Sequence, residues 1–328
     1  MKRLLIGVIC ICFLSAGCVK DRTHIPSAPA EKPSQMQLLK PRAMIILEKG
    51  LTNQDAKLRT NAIEVAAETG QKDMLPLITK LTTDPVVPVR FSAAVALGDM
   101  RSFSCENLIR KLLNDPDVNV RIAAVYALIK LNQSQYIEQL RAAVKSPDQT
   151  VRANATLLLG KLGNRDNLPF LYEVLEAKDS TDKVRMQAVE SIARLGDERM
   201  YRSKLWALQI SKFADDRVMG IRGMGALNTQ ESRDAIATML QDDILEVRLA
   251  AAEQLARTGD SRGKGLVLEY FQTNPDLNTP NMSNGMAVMA IGYLKNNELN
   301  AFLPKALDSR APYVQLLAAQ SVLLQLTP

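Results

Sequence analysis

The 328-residue chain holds one histidine, one tryptophan and four cysteines, and only 5% of it is aromatic. Each scarcity excludes a class of function. The lone histidine, His24, has no cluster of partner ligands around it. That rules out a His-rich metal centre and leaves a His-dependent triad without a base. No metal and no cofactor is expected. A phosphate-cradling GxxxxGK loop is missing, as is a GxGxxG that follows a strand. Alternation of apolar and polar residues never runs long enough for a sheet. Cys10, Cys12 and Cys18 lie near the N-terminus and Cys105 stands alone beyond them. The net charge is +6, and loss of Lys2 and Arg3 with the leader lowers it by two. So balanced and dispersed a charge gives no argument for a nucleic-acid partner.

What is abundant is self-similarity. DPVVPVRFSAAVALGDM, Asp84 to Met100, recurs as DPDVNVRIAAVYALIKL from Asp115, SPDQTVRANATLLLGKL from Ser146, DSTDKVRMQAVESIARL from Asp179 and DDILEVRLAAAEQLART from Asp242. The anchor arginines are Arg59, Arg90, Arg121, Arg152, Arg185 and Arg248, and the first four are 31 residues apart. In three later units Gly220, Asn284 and Gln315 take the anchor position. Three residues after each anchor stands alanine or Gly223, and seven after stands a mostly large apolar residue, such as Leu97, Leu128 or Leu255. A small and a large apolar residue four apart share one helix face. Upstream lies a second apolar helix with an early proline, as in LPLITKL and LPFLYEVL. Each unit is therefore helix–turn–helix. One pair cannot bury its own face, so the units stack. An elongated all-α solenoid of about nine pairs is expected, with the helix holding Met44 to Leu51 as its N-terminal half-cap. Cys105 and Trp206 are expected to fill core, Gly220, Gly223 and Gly225 to mark a bend or close helix contact, and the long Asn/Pro-rich loop from Thr273 to Asn284 to be mobile or functional.

The V-R-x-x-A pattern, with an acid six residues before the arginine, resembles HEAT repeats of the phycobilin-lyase-like type. The pairs are Asp84/Arg90, Asp115/Arg121, Asp179/Arg185 and Asp242/Arg248. The resemblance implies a ladder of Asp–Arg hydrogen bonds between successive repeats. It covers about Met36 to Pro328 and is specific for fold rather than function. The paired His-Glu motifs of HEAT-repeat metal hydroxylases are missing.

At the other end, MKRLLIGVICICFLSAG has a cationic start and an apolar stretch too short for a comfortable membrane span, so 1–17 reads as a signal peptide. LSAGC resembles a bacterial lipobox, which implies a lipid on Cys18. With Cys10 and Cys12 lost with the leader and Cys18 taken up by that lipid, no internal disulfide is expected. The polar stretch 18–35, with three prolines, reads as a tether, and 36–328 as the repeat array. These features place the chain outside the cytoplasm, lipid-anchored in the cell or outer membrane. An exported chain is an unexpected place for a cytosolic bilin lyase or DNA glycosylase activity.

The expected function is an envelope scaffold, not an enzyme, that binds another envelope protein on its repeat surface. An accessory or minor catalytic protein acting on an envelope polymer, or a structural spacer, are the other readings. Positions one, five and nine after the anchor rotate away from the core face. Phe91, Val95, Ile122, Tyr126 and Leu157 occupy them and form the candidate protein-binding surface.

Overall fold

The computed structural model describes residues 34–327. The expected signal peptide, Cys18 and His24 lie outside the described residues. Nine helix pairs follow one another. The first three are α1 (Gln35–Leu51) with α2 (Ala56–Glu68), α3 (Leu75–Leu81) with α4 (Val87–Asp99), and α5 (Glu106–Leu112) with α6 (Val118–Lys130). Next come α7 (Ile137–Ala143) with α8 (Gln149–Lys161), α9 (Leu168–Glu176) with α10 (Asp182–Arg194), and α11 (Trp206–Gln209) with α12 (Ala214–Leu227). The last three are α13 (Gln230–Thr238) with α14 (Leu245–Arg257), α15 (Lys264–Thr273) with α16 (Met282–Leu294), and α17 (Asn297–Asn300) and α18 (Leu303–Leu307) with α19 (Pro312–Leu326). No strand occurs among the described residues.

Local chemistry sets both ends of each second helix. Asp55, Asp117 and Asp148 cap α2, α6 and α8, each accepting the backbone N–H two residues on at 2.7–2.8 Å. Such caps satisfy N–H groups the helix leaves unpaired. At the other end, every second helix from α2 to α16 is followed by a left-handed residue: Gly70, Arg101, Asn132, Gly163, Gly196, Asn228, Gly259 and Lys295. Glycine takes that conformation without strain, and the arginine and lysine do not.

The second helices pack side by side around the array. Small residues let them approach. A Cβ on Gly98 would sit 2.7 Å from the Ala127 Cα of the next unit. Ala62, Ala93, Ala124, Ala155 and Ala188 are fully buried, as are Leu97, Leu128 and Leu159 on the same face. Each fully buried large side chain contributes about 1.5–3 kcal/mol from the apolar surface it removes from water.

The array has no free ends. Helix α1 packs along α19, and α2 touches α19 as well. Ala43, Leu47 and Leu51 of α1 and Val314, Leu316 and Leu317 of α19 are buried. Arg42 forms an ion pair with Asp308, and the Thr327 hydroxyl donates to the Thr69 carbonyl at 3.4 Å. The expectation of an elongated solenoid with α1 as a half-cap is thus corrected: the solenoid closes into a ring. A fixed small rotation per unit accumulates along a repeat array, and nine units bring the last apolar face back to the first. No helix among the described residues is long and apolar enough to cross a membrane.

Three further expectations change. Trp206 is 51% exposed rather than core. A π-helical turn, Tyr201–Leu205, precedes it and turns its face outward; Leu205 fills the core place, in contact with Gly223. Cys105 is only partly buried against the core. The loop after α15 is pinned: its Leu277 is buried, and the Leu277 carbonyl accepts the Ser309 hydroxyl at 2.6 Å.

Candidate functional site

The anchor arginines hold the units in register. Arg59 forks onto Asp84, with Nε at 2.8 Å and Nη2 at 2.9 Å. Arg90 forks onto Asp115 at 2.9 and 3.0 Å. Arg152 reaches Asp179 at 2.8 Å, and Arg217 reaches Asp242 at 2.8 Å. Every anchor arginine but Arg185 also donates to the backbone carbonyl six residues before it, as Arg90 does to Asp84, Arg121 to Asp115 and Arg248 to Asp242. The acid therefore has two jobs. Its carbonyl serves its own arginine, and its carboxylate serves the arginine of the preceding unit. A planar guanidinium fork suits that double demand. Burial resists ionisation of Asp115, but the Arg90 fork and the Asp117 N–H hold its carboxyl below the ordinary value.

Three of the sequence-selected arginines lack this forward pairing, and one of them, Arg248, donates only to the Asp242 and Asp243 carbonyls. Arg121 meets only carbonyls, of Asp115 and Pro116, because Ser146 stands where the next acid should be. Arg185 donates to the Ala177 and Lys178 carbonyls and touches the exposed Asp182 carboxylate at 3.3 Å. The anchor of the sixth unit is Arg217, not Gly220. Its partner Asp242 lies 25 residues ahead, the same separation as Arg59–Asp84 and Arg90–Asp115. That spacing was the available signal. Asn284 and Gln315 do stand at anchor places, donating to the Thr279 and Leu307 carbonyls.

Ring closure turns the second helices toward a common axis and leaves a cavity of about 540 Å³. Phe91, Val95 and Leu157 form its apolar wall, and Glu64, Glu68, Asp99, Lys161, Arg194 and Arg257 its polar one. Most stand five or nine residues after an anchor. Ion pairs cross the space: Lys161 to Asp99 at 2.8 Å, and Arg257 to Glu68 at 3.1 Å. Glu68 also accepts the Gln320 amide at 2.7 Å and the Tyr293 hydroxyl. One carboxylate thus joins α2, α14, α16 and α19. Burial among ring walls raises Glu64 above the ordinary carboxylate range; Lys161 opposes that and Glu68 adds to it.

Of the five residues chosen as a binding surface, the structure brings Phe91, Val95 and Leu157 together, half-buried, in this cavity. Ile122 and Tyr126 are corrections, because both are buried, Tyr126 completely. The flanking units close over them: Tyr126 donates its hydroxyl to Asp99, and Lys161 of α8 reaches across to the same carboxylate. Burial, then the Asp99 charge, pushes the Tyr126 phenol upward.

A second recess of about 310 Å³ adjoins the first and shares Arg257 with it. Met282, Met286 and Met289 of α16 and Tyr313 of α19 form its apolar side, and Arg222, Glu253 and Gln254 its polar side.

The family model described as HEAT repeats matches residues 88–147, 137–203 and 204–279, more than half of the chain. The chain belongs to the HEAT-repeat family. No curated protein matches it. Among solved structures, the CpcE–CpcF complex of phycocyanin lyase from Nostoc sp. is 19% identical, with a TM-score of 0.45 over 76% of this chain and 99% of that one. Human deoxyhypusine hydroxylase is 15% identical, with a TM-score of 0.37 over 80% of this chain and 98% of that one. Importin beta is 13% identical, with a TM-score of 0.34 over 83% of this chain and 44% of that one. The expectation that the chain is not an enzyme is corrected here. Similar HEAT-type structures include a lyase and a hydroxylase. HEAT-repeat solenoids commonly serve as protein-interaction scaffolds.

Proposed function

We propose that this HEAT-repeat ring is a lipid-anchored scaffold of the cell envelope that grips a partner protein through its axial cavity. The observation that carries the reading is the half-buried wall of Phe91, Val95 and Leu157, set beside a band of charges from several units. Apolar surface left in contact with water, rimmed by polar groups, is the pattern of a protein-contact site. The lipobox resemblance at Cys18 supports the anchoring. Two acyl chains hold a protein on a membrane where one does so only marginally.

The test is a photo-crosslinking residue placed at Leu157 in cells, with a second at the outward Phe103, which is 53% exposed. One dominant partner, joined at Leu157 and not at Phe103, and rebound by the purified ring, supports the reading. Equal labelling at both places sinks it. Anchoring is tested apart, by fractionation of Cys18→Ala: the reading requires that it leave the membrane fraction or remain unprocessed.

A further inference from the structure

The inference concerns what the cavity recognises, and it rests on the reading that the cavity is the contact surface. Its cations are not equivalent. Lys161 is neutralised by Asp99 at 2.8 Å, Arg194 by Glu190 at 2.7 Å, and Arg257 by Glu68 and Glu253. Arg222 lines the second recess, is exposed to it, and has no carboxylate partner among the described residues. It sits five residues after the anchor Arg217, at the axis-facing place held by Val95 and Leu157 in other units.

Facing it is an apolar wall of unusual softness. Met282, Met286 and Met289 are spaced by four and three residues along α16 and so form one stripe. Tyr313 lies across that helix, close enough that a Cβ on Gly285 would stand 3.2 Å from its ring. Methionine side chains adapt to apolar groups of many shapes. We propose that Arg222 and this methionine wall receive a carboxylate flanked by apolar side chains, carried on an extended polypeptide segment of the partner.

Two features select a polypeptide over a free anion. The apolar walls of the 310 and 540 Å³ spaces need an occupant with side chains on both sides of the charge. Arg257 lines both spaces, so an occupant that touches both walls is long. Nucleic acid is disfavoured by Glu64, Glu68 and Glu253, which line the same spaces.

The experiment measures fluorescence anisotropy of a labelled peptide of alternating leucine and aspartate, with a lysine-for-aspartate counterpart and dodecanoate as competitor. The acidic peptide is expected to bind and the lysine peptide to bind about tenfold more weakly or not at all. Arg222→Glu should reverse that order, and Arg222→Ala should abolish the preference. Arg222 is exposed, so both variants keep the fold, which far-UV circular dichroism checks. Equal affinity for both peptides, an unchanged order in Arg222→Glu, or binding of dodecanoate without either peptide overturns the proposal. Crosslinking of the partner at Leu157 is read independently. If it succeeds while Arg222→Glu changes nothing, only this inference falls. If it fails, the reading of the cavity itself falls.

Discussion

Arg90 and Arg121 look alike in the sequence, since each stands five residues after the proline of Asp-Pro and is the arginine of a V-R-x-x-A. The structure separates them. Arg90 makes a two-point fork on Asp115, with side-chain exposures of only 12% and 8%, and a further bond to the Asp84 carbonyl at 2.9 Å. Arg90→Ala leaves a buried carboxylate without its cation, a change that costs about 3–5 kcal/mol. Arg121 makes bonds only to two carbonyls, at 2.7 and 2.9 Å. Each carbonyl keeps other ways to be satisfied near the surface, so Arg121→Ala should cost about 1–2 kcal/mol. Urea unfolding followed by far-UV circular dichroism measures both. A cycle of Arg90→Ala, Asp115→Asn and the double variant isolates the pair energy. Equal costs for the two arginines, or a coupling near zero between Arg90 and Asp115, would refute the assignment of the ladder.

The same cycle carries a pH dependence. Asp115 titrates below its ordinary 3.8 in the folded ring. Its contribution is complete above the unfolded-state value and is lost as the pH falls through the lower folded-state value. Coupling that persists undiminished well below that range contradicts the ion-pair account. Trp206 is the sole tryptophan and is half exposed, so intrinsic fluorescence should be red-shifted and readily quenched by acrylamide; blue-shifted, protected emission would put it back in a core. Lys295 is exposed and has a φ of 47°, so Lys295→Gly should stabilise the ring by about 0.5–1 kcal/mol in the same urea assay, and a loss of stability would contradict the left-handed cap.

Much of this architecture is legible without coordinates because a repeat writes its core many times. Ala93, Ala124 and Ala155 sit at one place in three units, and their shared burial follows from one helical period. The acid–arginine pairing is legible in kind but not in direction. Asp115 lies in the turn between α5 and α6, six residues before Arg121, and serves two arginines, and only the 25-residue separation reveals the forward one. Arg217 was hidden because Gly223 and Leu227 imitate the small–large pair three residues out of register, whereas Gly220 and the fully buried Met224 are the true pair. Ring closure lies beyond local periodicity altogether. Each unit encodes contacts with its neighbours, and whether nine such steps meet depends on small rotations summed around the array. The burial of Tyr126 follows from that curvature, since it is Lys161 of α8 reaching Asp99 of α4 that closes over it.

Closure is the claim on which the axial cavity, its charge band and the Arg222 recess all depend. It is tested most directly by placing cysteines at Arg42 and Asp308, the ion pair that joins α1 to the segment before α19, in a background without other thiols. A short bismaleimide is then added to the native protein and to protein in urea. A closed ring predicts rapid intramolecular linkage in the native state at low protein concentration, and its loss on unfolding. A native protein that leaves both thiols unlinked would show the solenoid to be open and would remove the cavity with it.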